Sequence, residues 1–257
     1  IRLSATHGRK NERRRRRREK KAPLSSSERN TEMNKKKKPA RAGLSKVGVV
    51  VLLCFCLTFI AMAVWTVWGN TALEVTEISL SSDRLPEAFS GYRIAHLSDL
   101  HNAEFGKENR RLLAKLADCK PDSIMITGDL IDSNHPDRAV ALHFVREAVK
   151  VAPTYYVSGN HEARLGDFEE LRKSLADAGV TVLEDEAVTL EKDGKKVRLL
   201  GLSDPNLASA GGILHKTPAT VRAKLEELTG DGEGYTILLA HRPELFETYA
   251  VCGVDLV

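Results

Sequence analysis

The chain has 257 residues with 39 Lys/Arg, 35 Asp/Glu and four cysteines, for a formal charge of +4. That length accommodates one sizeable domain with appendages, and the absence of any CxxC pair excludes zinc-ribbon and thioredoxin-type readings. The small net charge hides an asymmetry: residues 1–46 carry 18 Lys/Arg against 4 Asp/Glu and the rest 21 against 31, so a basic tail precedes an acidic body.

Within the tail, "NERRRRRREKK" has the charge density that neutralises phosphates. Met33, however, opens "MNKKKKPARAGLSKVGVV", which reads by itself as the start of an anchored protein. Residues 1–32 are then either untranslated sequence or a disordered cytoplasmic tail, and no nucleic-acid partner is expected. Residues 47–68, "VGVVVLLCFCLTFIAMAVWTVW", carry no charge and have no polar face. At about 1.5 Å per residue they reach about 33 Å, enough to cross a hydrocarbon core of about 30 Å. Trp65 and Trp68 stand at the far end, and Lys35 to Lys38, Arg41 and Lys46 flank the near end. The expectation is a transmembrane signal anchor over 47–69 that binds the lipid bilayer through 47–68. It is read as retained, in preference to cleavage near Ala61-Met62-Ala63. The basic flank puts the N-terminus in the cytoplasm and the rest of the chain outside the cell membrane, in a single pass.

Residues 70–90 read as a linker and domain entry, followed by a domain over 91–257 that is expected to be incomplete at its C-terminal end. There the pattern alternates: strands at 92–99, 122–129 and 153–159, with helices at 107–118, 137–150 and 167–179. This order implies parallel strands joined by crossover helices. The segment 184–204 then has two strand-like runs around Asp193-Gly194, a hairpin signal. A helix near 218–229 and a buried strand at 235–241 follow. Parallel units followed by a hairpin point to an α/β sandwich of two mixed sheets flanked by helices, and not to a simple Rossmann domain.

Chemistry collects at the strand ends. The first ends in Asp99-Leu100-His101, the second in Gly128-Asp129-Leu130-Ile131-Asp132, the third in Gly159-Asn160-His161-Glu162, and a later strand delivers His241 followed by Arg242. Asp99 precedes Asp129 by 30 residues and Asp129 precedes Asn160 by 31, each about one βαβ repeat. Whole repeats return the chain to one sheet edge, so the clusters converge on one rim. Each residue alone is an ordinary cap or turn former. Together they make a nitrogen/oxygen site without thiolates, suited to Mn²⁺, Fe or Zn²⁺. Gly128 and Gly159 are read as allowing the tight turns that aim the next side chain inward. His96 is read as a packing or supporting residue, His143 as structural or exposed, His135 and His215 as loop residues for which substrate contact is the minority reading, and Arg242 as a residue that either supports the ligands or borders the substrate.

The series DxH, GDxxD, GNHE and a later His resembles the calcineurin-like metallophosphoesterase superfamily, and within it the membrane-anchored bacterial branch. The resemblance covers roughly residues 90–257. It implies a metallophosphatase-type sandwich and two divalent metal ions of open identity. Asp99 and His101 would bind the first, Asp129 would bridge both, and Asn160 and His241 would bind the second. His161 would contact the phosphate and protonate the leaving oxygen, and Asp132 and Glu162 would orient the ligands. The implied activity is hydrolysis of a phosphate ester, of the phosphodiester kind, by a dimetal-activated hydroxide. The alternative is an envelope protein that holds metal or a phosphorylated polymer without turnover. One departure stands out: the family places a Gly-His-x-His segment after the next strand, here "GVDLV", where the sequence stops. Truncation is the expected reason.

Overall fold

The structure is a computed structural model that describes residues 45–207, 217–230 and 232–257. The tail up to residue 44 and the loop histidine His215 lie outside the described residues. The chain divides into two compact units between Gly69 and Asn70. Helix α1, Lys46–Thr71, forms nearly all of the described part of the first and runs two residues past the boundary; none of its residues is buried, and it is long and apolar enough to cross a membrane.

The second unit is layered. Strands β1 (Ile94–Leu97), β2 (Ser123–Thr127), β3 (Thr154–Val157) and β4 (Thr181–Val182) form one sheet in that order, all pairs parallel. The crossovers are helices α2 (Arg110–Asp118), α3 (Arg138–Ala148) and α4 (Phe168–Asp177). Asp137 starts α3 by accepting the N–H groups of Ala139 and Val140 at 3.0 and 3.2 Å, which satisfies two otherwise orphaned donors. Ala141, Phe144, Val145 and Ala148 then recur at helical spacing on its buried face. Gly179, at φ 96°, ends the α4 turn.

Strands β5 (Glu186–Lys192), β6 (Lys195–Gly201) and β7 (Thr236–Leu239) form the second sheet, antiparallel between β5 and β6 and parallel between β6 and β7. The mixed character expected of both sheets therefore resides in this one. Asp193 and Gly194 both take positive φ, 48° and 72°, as a two-residue hairpin turn requires. Helices α5 (Thr217–Thr229) and α6 (Phe246–Ala250) cover its outer face. Beyond α6, Leu256 makes a single parallel bridge to Ile237, so "GVDLV" does run beside β7.

Period-two alternation distributes the strands between the layers. Ile124 and Ile126 face the helices with Phe144, Val145, Leu171 and Leu175. Met125 and Val157 face the second sheet, where they meet Leu183, Leu190, Val197, Leu199 and Ile237. Phe89, from the short turn Glu87–Phe89, closes this inter-sheet core. The two-residue β4 escaped the sequence reading because so short a run has no period to detect.

The sheets meet most tightly at Gly201. A Cβ there would overlap the Leu183 side chain and lie 2.6 Å from the Leu183 carbonyl oxygen and 2.9 Å from Val157 Cγ1. Gly201→Val is expected to cost about 2 kcal/mol or more of stability by overpacking, read as a lower urea midpoint. An unchanged midpoint would mean the sheets do not touch there.

Candidate metal centre

Because β1, β2 and β3 are parallel, their C-terminal ends share one rim, and the end of β7, from the other sheet, meets it where His241 Nδ1 lies 2.7 Å from the Thr127 carbonyl oxygen. Beyond the strands the chain turns sharply. Asp99, His101, Asn102 and Asp129 all sit in the left-handed region, at φ 56°, 45°, 61° and 51°, a conformation of order 1 kcal/mol uphill for residues with a Cβ. Hydrogen bonds hold these turns in place. The Asp99 N–H donates to the Gly128 carbonyl at 3.1 Å, His101 N–H to Asp129 O at 2.9 Å, and Asn102 N–H to Leu130 O at 3.1 Å. The β1–β2 ladder thus continues while the side chains are redirected to the rim.

The centre of the arrangement is Asp129, 3% exposed. Its Oδ2 faces the Nε2 atoms of three histidines from three strand ends: His241 at 3.5 Å, His101 at 3.6 Å and His161 at 4.0 Å. Asp99 Oδ1 lies 3.6 Å from the same His101 nitrogen. These gaps exceed hydrogen-bond length. The three gaps of 3.5 to 3.6 Å leave the donor atoms separated as a cation between them would require. Two overlapping sets result, His101/Asp129/His161 and Asp99/Asp129/His241, each with its donor atoms within 4.8 Å of one another and both sharing Asp129. The fifth expected donor, Asn160 Oδ1, is 3.3 Å from His241 Nε2. The donor set therefore fits divalent cations.

Neighbouring groups fix which nitrogen faces the centre. His241 Nδ1–H donates to the Thr127 carbonyl at 2.7 Å, which turns Nε2 toward Asp129. Burial pulls the His241 imidazole down, but the Asp129 carboxylate and the Thr127 carbonyl outweigh it and lift its pKa to about 9. Burial pushes Asp129 up, and the bond from the His161 N–H (2.8 Å) with the surrounding imidazoles brings it below the usual range. His161 is turned the other way. The Ser133 N–H donates to its Nδ1 at 3.0 Å, with Ser133 Oγ at 3.1 Å and Asp132 Oδ1 at 3.3 Å from the same atom. A donor aimed at Nδ1 leaves the ring proton of the neutral form on Nε2, facing Asp129.

Glu162 underlies the whole rim. Fully buried, it accepts the N–H groups of Asp129 at 2.7 Å, Ile131 at 3.0 Å and Gly159 at 2.8 Å, stitching the ends of β2 and β3 together. Desolvation raises its pKa against the pull of those three bonds. The two glycines differ from the sequence reading in one respect. Gly128 adopts φ 82° as a turn glycine should. Gly159 has no positive φ; what it needs is space, since a Cβ there would overlap Asp129 Oδ1 and lie 2.5 Å from the Asp129 nitrogen.

The remaining expectations separate. Asp132 is beside His161, held low first of all by the Asn134 N–H. Arg242 has its Nε on Asp204 Oδ2 at 2.6 Å and Nη2 on Asp204 Oδ1 at 3.2 Å, so its guanidinium is engaged away from the rim carboxylates. His96 Nε2 lies 2.7 Å from Thr127 Oγ1, a supporting contact between β1 and β2. His135 is an exposed loop residue near Asp132. Sequence reasoning missed Ser133, Ser158, Glu184 and Asp204. Asp204 had a signal: Leu202-Ser203-Asp204 ends β6 just as Leu97-Ser98-Asp99 ends β1.

Two outcomes follow for the full chain. Glu162→Ala strands three buried backbone donors and is expected to lower stability by about 3 kcal/mol or more, read by urea unfolding. Without metal, His241 contributes stability that is full below its unfolded pKa near 6.5 and is lost as pH rises through about 9. In chelator, the wild-type midpoint should fall more than that of His241→Gln between pH 6.5 and 9.5. Parallel pH dependences would remove the His241–Asp129 contact from the account.

The calcineurin-like phosphoesterase family profile matches residues 92–256. An uncharacterized metallophosphoesterase of Campylobacter jejuni is 27% identical over 213 residues, covering 81% of this chain and 54% of that protein. A transmembrane protein with metallophosphoesterase domain from Danio rerio is 27% identical over 197 residues, covering 73% of this chain and 44% of that protein. The chain thus spans about half the length of these curated relatives. Among solved structures, the phosphopantetheinyl hydrolase of Mycobacterium tuberculosis aligns with a TM-score of 0.42 at 16% identity, covering 63% of this chain and 76% of that one, a likeness too loose to bear on function. With the profile spanning the whole sandwich and its rim, the chain belongs to the calcineurin-like phosphoesterase family.

Proposed function

We propose that the protein is a membrane-anchored, metal-dependent phosphoesterase, acting as a phosphodiesterase on a substrate outside the cytoplasmic membrane. The observation that carries this reading is the convergence of three imidazole Nε2 atoms on one buried carboxylate oxygen, Asp129 Oδ2, at 3.5 to 4.0 Å. In it, Asp99 and His101 would hold one divalent cation, Asn160 and His241 would hold a second, and Asp129 would serve both, a division that differs from the two donor clusters, where Asp99 groups with His241 and His101 with His161. The cations, Mn²⁺, Zn²⁺ or Fe, supply Lewis acidity toward the phosphate and a low-pKa water. His161, with Asp132 and Ser133 on Nδ1, presents an Nε2 proton to the leaving oxygen. Glu162 keeps the loops bearing Asp129 and Asn160 in register.

Anchoring is supported by α1, by the Lys/Arg-rich sequence before it and by Trp65 and Trp68 packed 5.7 Å apart near its far end. The transmembrane relative from Danio rerio points the same way.

The test is hydrolysis of bis(p-nitrophenyl) phosphate by the full chain in detergent with added Mn²⁺. Activity should disappear with chelator, return with metal, and fall about 100-fold or more in Asp129→Asn. Turnover indifferent to chelator, or retained in Asp129→Asn, would overturn the reading.

A further inference from the structure

The two sheets bring separate halves of the centre, and a buried polar chain joins them behind the rim. Arg242, next to His241, grips Asp204 through Nε at 2.6 Å and Nη2 at 3.2 Å. The Asp204 N–H donates to Ser158 Oγ at 3.1 Å, and Ser158 lies two residues before Asn160. Ser158 in turn donates its hydroxyl to Glu184 Oε2 at 2.7 Å and its N–H to Glu184 Oε1 at 2.8 Å. Asp204 and Ser158 are 1% and 0% exposed, so the bond between them is shielded from water, while Arg242 and Glu184 at the two ends are partly exposed.

We propose that Asp204 is a positioning residue that sets His241 and Asn160 against Asp129, by tying the end of β7 to the end of β3 through Arg242 and Ser158. A buried carboxylate is costly unless it is paired and fully hydrogen-bonded. Asp204 meets that condition: its Oδ1 also accepts the Asn206 N–H at 2.9 Å. The bidentate fork to Arg242 fixes direction as well as distance, and that direction is what the neighbouring imidazole inherits. Glu184, pushed up to about 7 by burial against the pull of its two Ser158 bonds, closes the far end of the chain.

This inference rests on the dimetal reading for its consequence but not for its test. In the full chain with ¹⁵N-histidine, metal-free, His241 should show an Nδ1–H protected from exchange by the Thr127 carbonyl. Asp204→Asn and, more mildly, Ser158→Ala should lose that protection while circular dichroism stays native, and Arg242→Lys should retain more of it than Arg242→Met. A Mn²⁺ titration of the wild type then reports separately on the dimetal reading. Where two ions bind, Asp204→Asn should weaken one of them about 10- to 100-fold and spare the other. Folded Asp204→Asn and Ser158→Ala proteins with wild-type His241 protection would overturn the proposal. Should Asp204→Asn not fold, Ser158→Ala and the Arg242 pair decide it by the same signal.

Discussion

Everything at the rim depends on one buried negative charge. Asp129 is nearly inaccessible to water, yet it stands at the end of a strand among other acids. A carboxylate in that position is stable only if cations or directed donors surround it. The structure supplies both kinds: the His161 N–H on one oxygen and three imidazoles facing the other. In the proposed function, a divalent cation held by these residues would supply the positive charge that the imidazoles otherwise offer to Asp129.

That demand explains otherwise expensive local features. Four residues with side chains occupy left-handed backbone at the rim, where open chain would avoid it. They are held there by continued β1–β2 hydrogen bonding and, from beneath, by Glu162. Gly159 lacks a side chain because Asp129 fills the space that side chain would need. Strain, close approach and a buried acid are three expressions of bringing the ends of β1, β2, β3 and β7 together around Asp129.

Much of this was legible in the sequence, for identifiable reasons. Strands such as Ser123–Thr127 are short, apolar and followed by Gly-Asp, and α3 and α4 carry both helical periodicity and end signals, so element type and order were readable. The spacing of one βαβ repeat between Asp99, Asp129 and Asn160 was enough to place them on one edge. What escaped reading depends on contacts distant in sequence. Glu162 looked like part of a motif, but its three backbone partners lie up to 33 residues away. Arg242 follows His241 in sequence, but its engagement with Asp204, 38 residues earlier, is a product of sheet packing that the sequence does not display. Gly159 was read as a turn glycine because sequence distinguishes poorly between a residue that needs positive φ and one that needs room.

Whether Asp129 is shared between two ions, as proposed, can be read from anomalous scattering by crystals of the chain grown with Mn²⁺. Two peaks about 3.5 to 4 Å apart, one toward Asp99 and His101 and one toward Asn160 and His241, with Asp129 between them, are the predicted result. An ordered rim in which Asp129 contacts no ion, while Mn²⁺ occupies other positions, would contradict it.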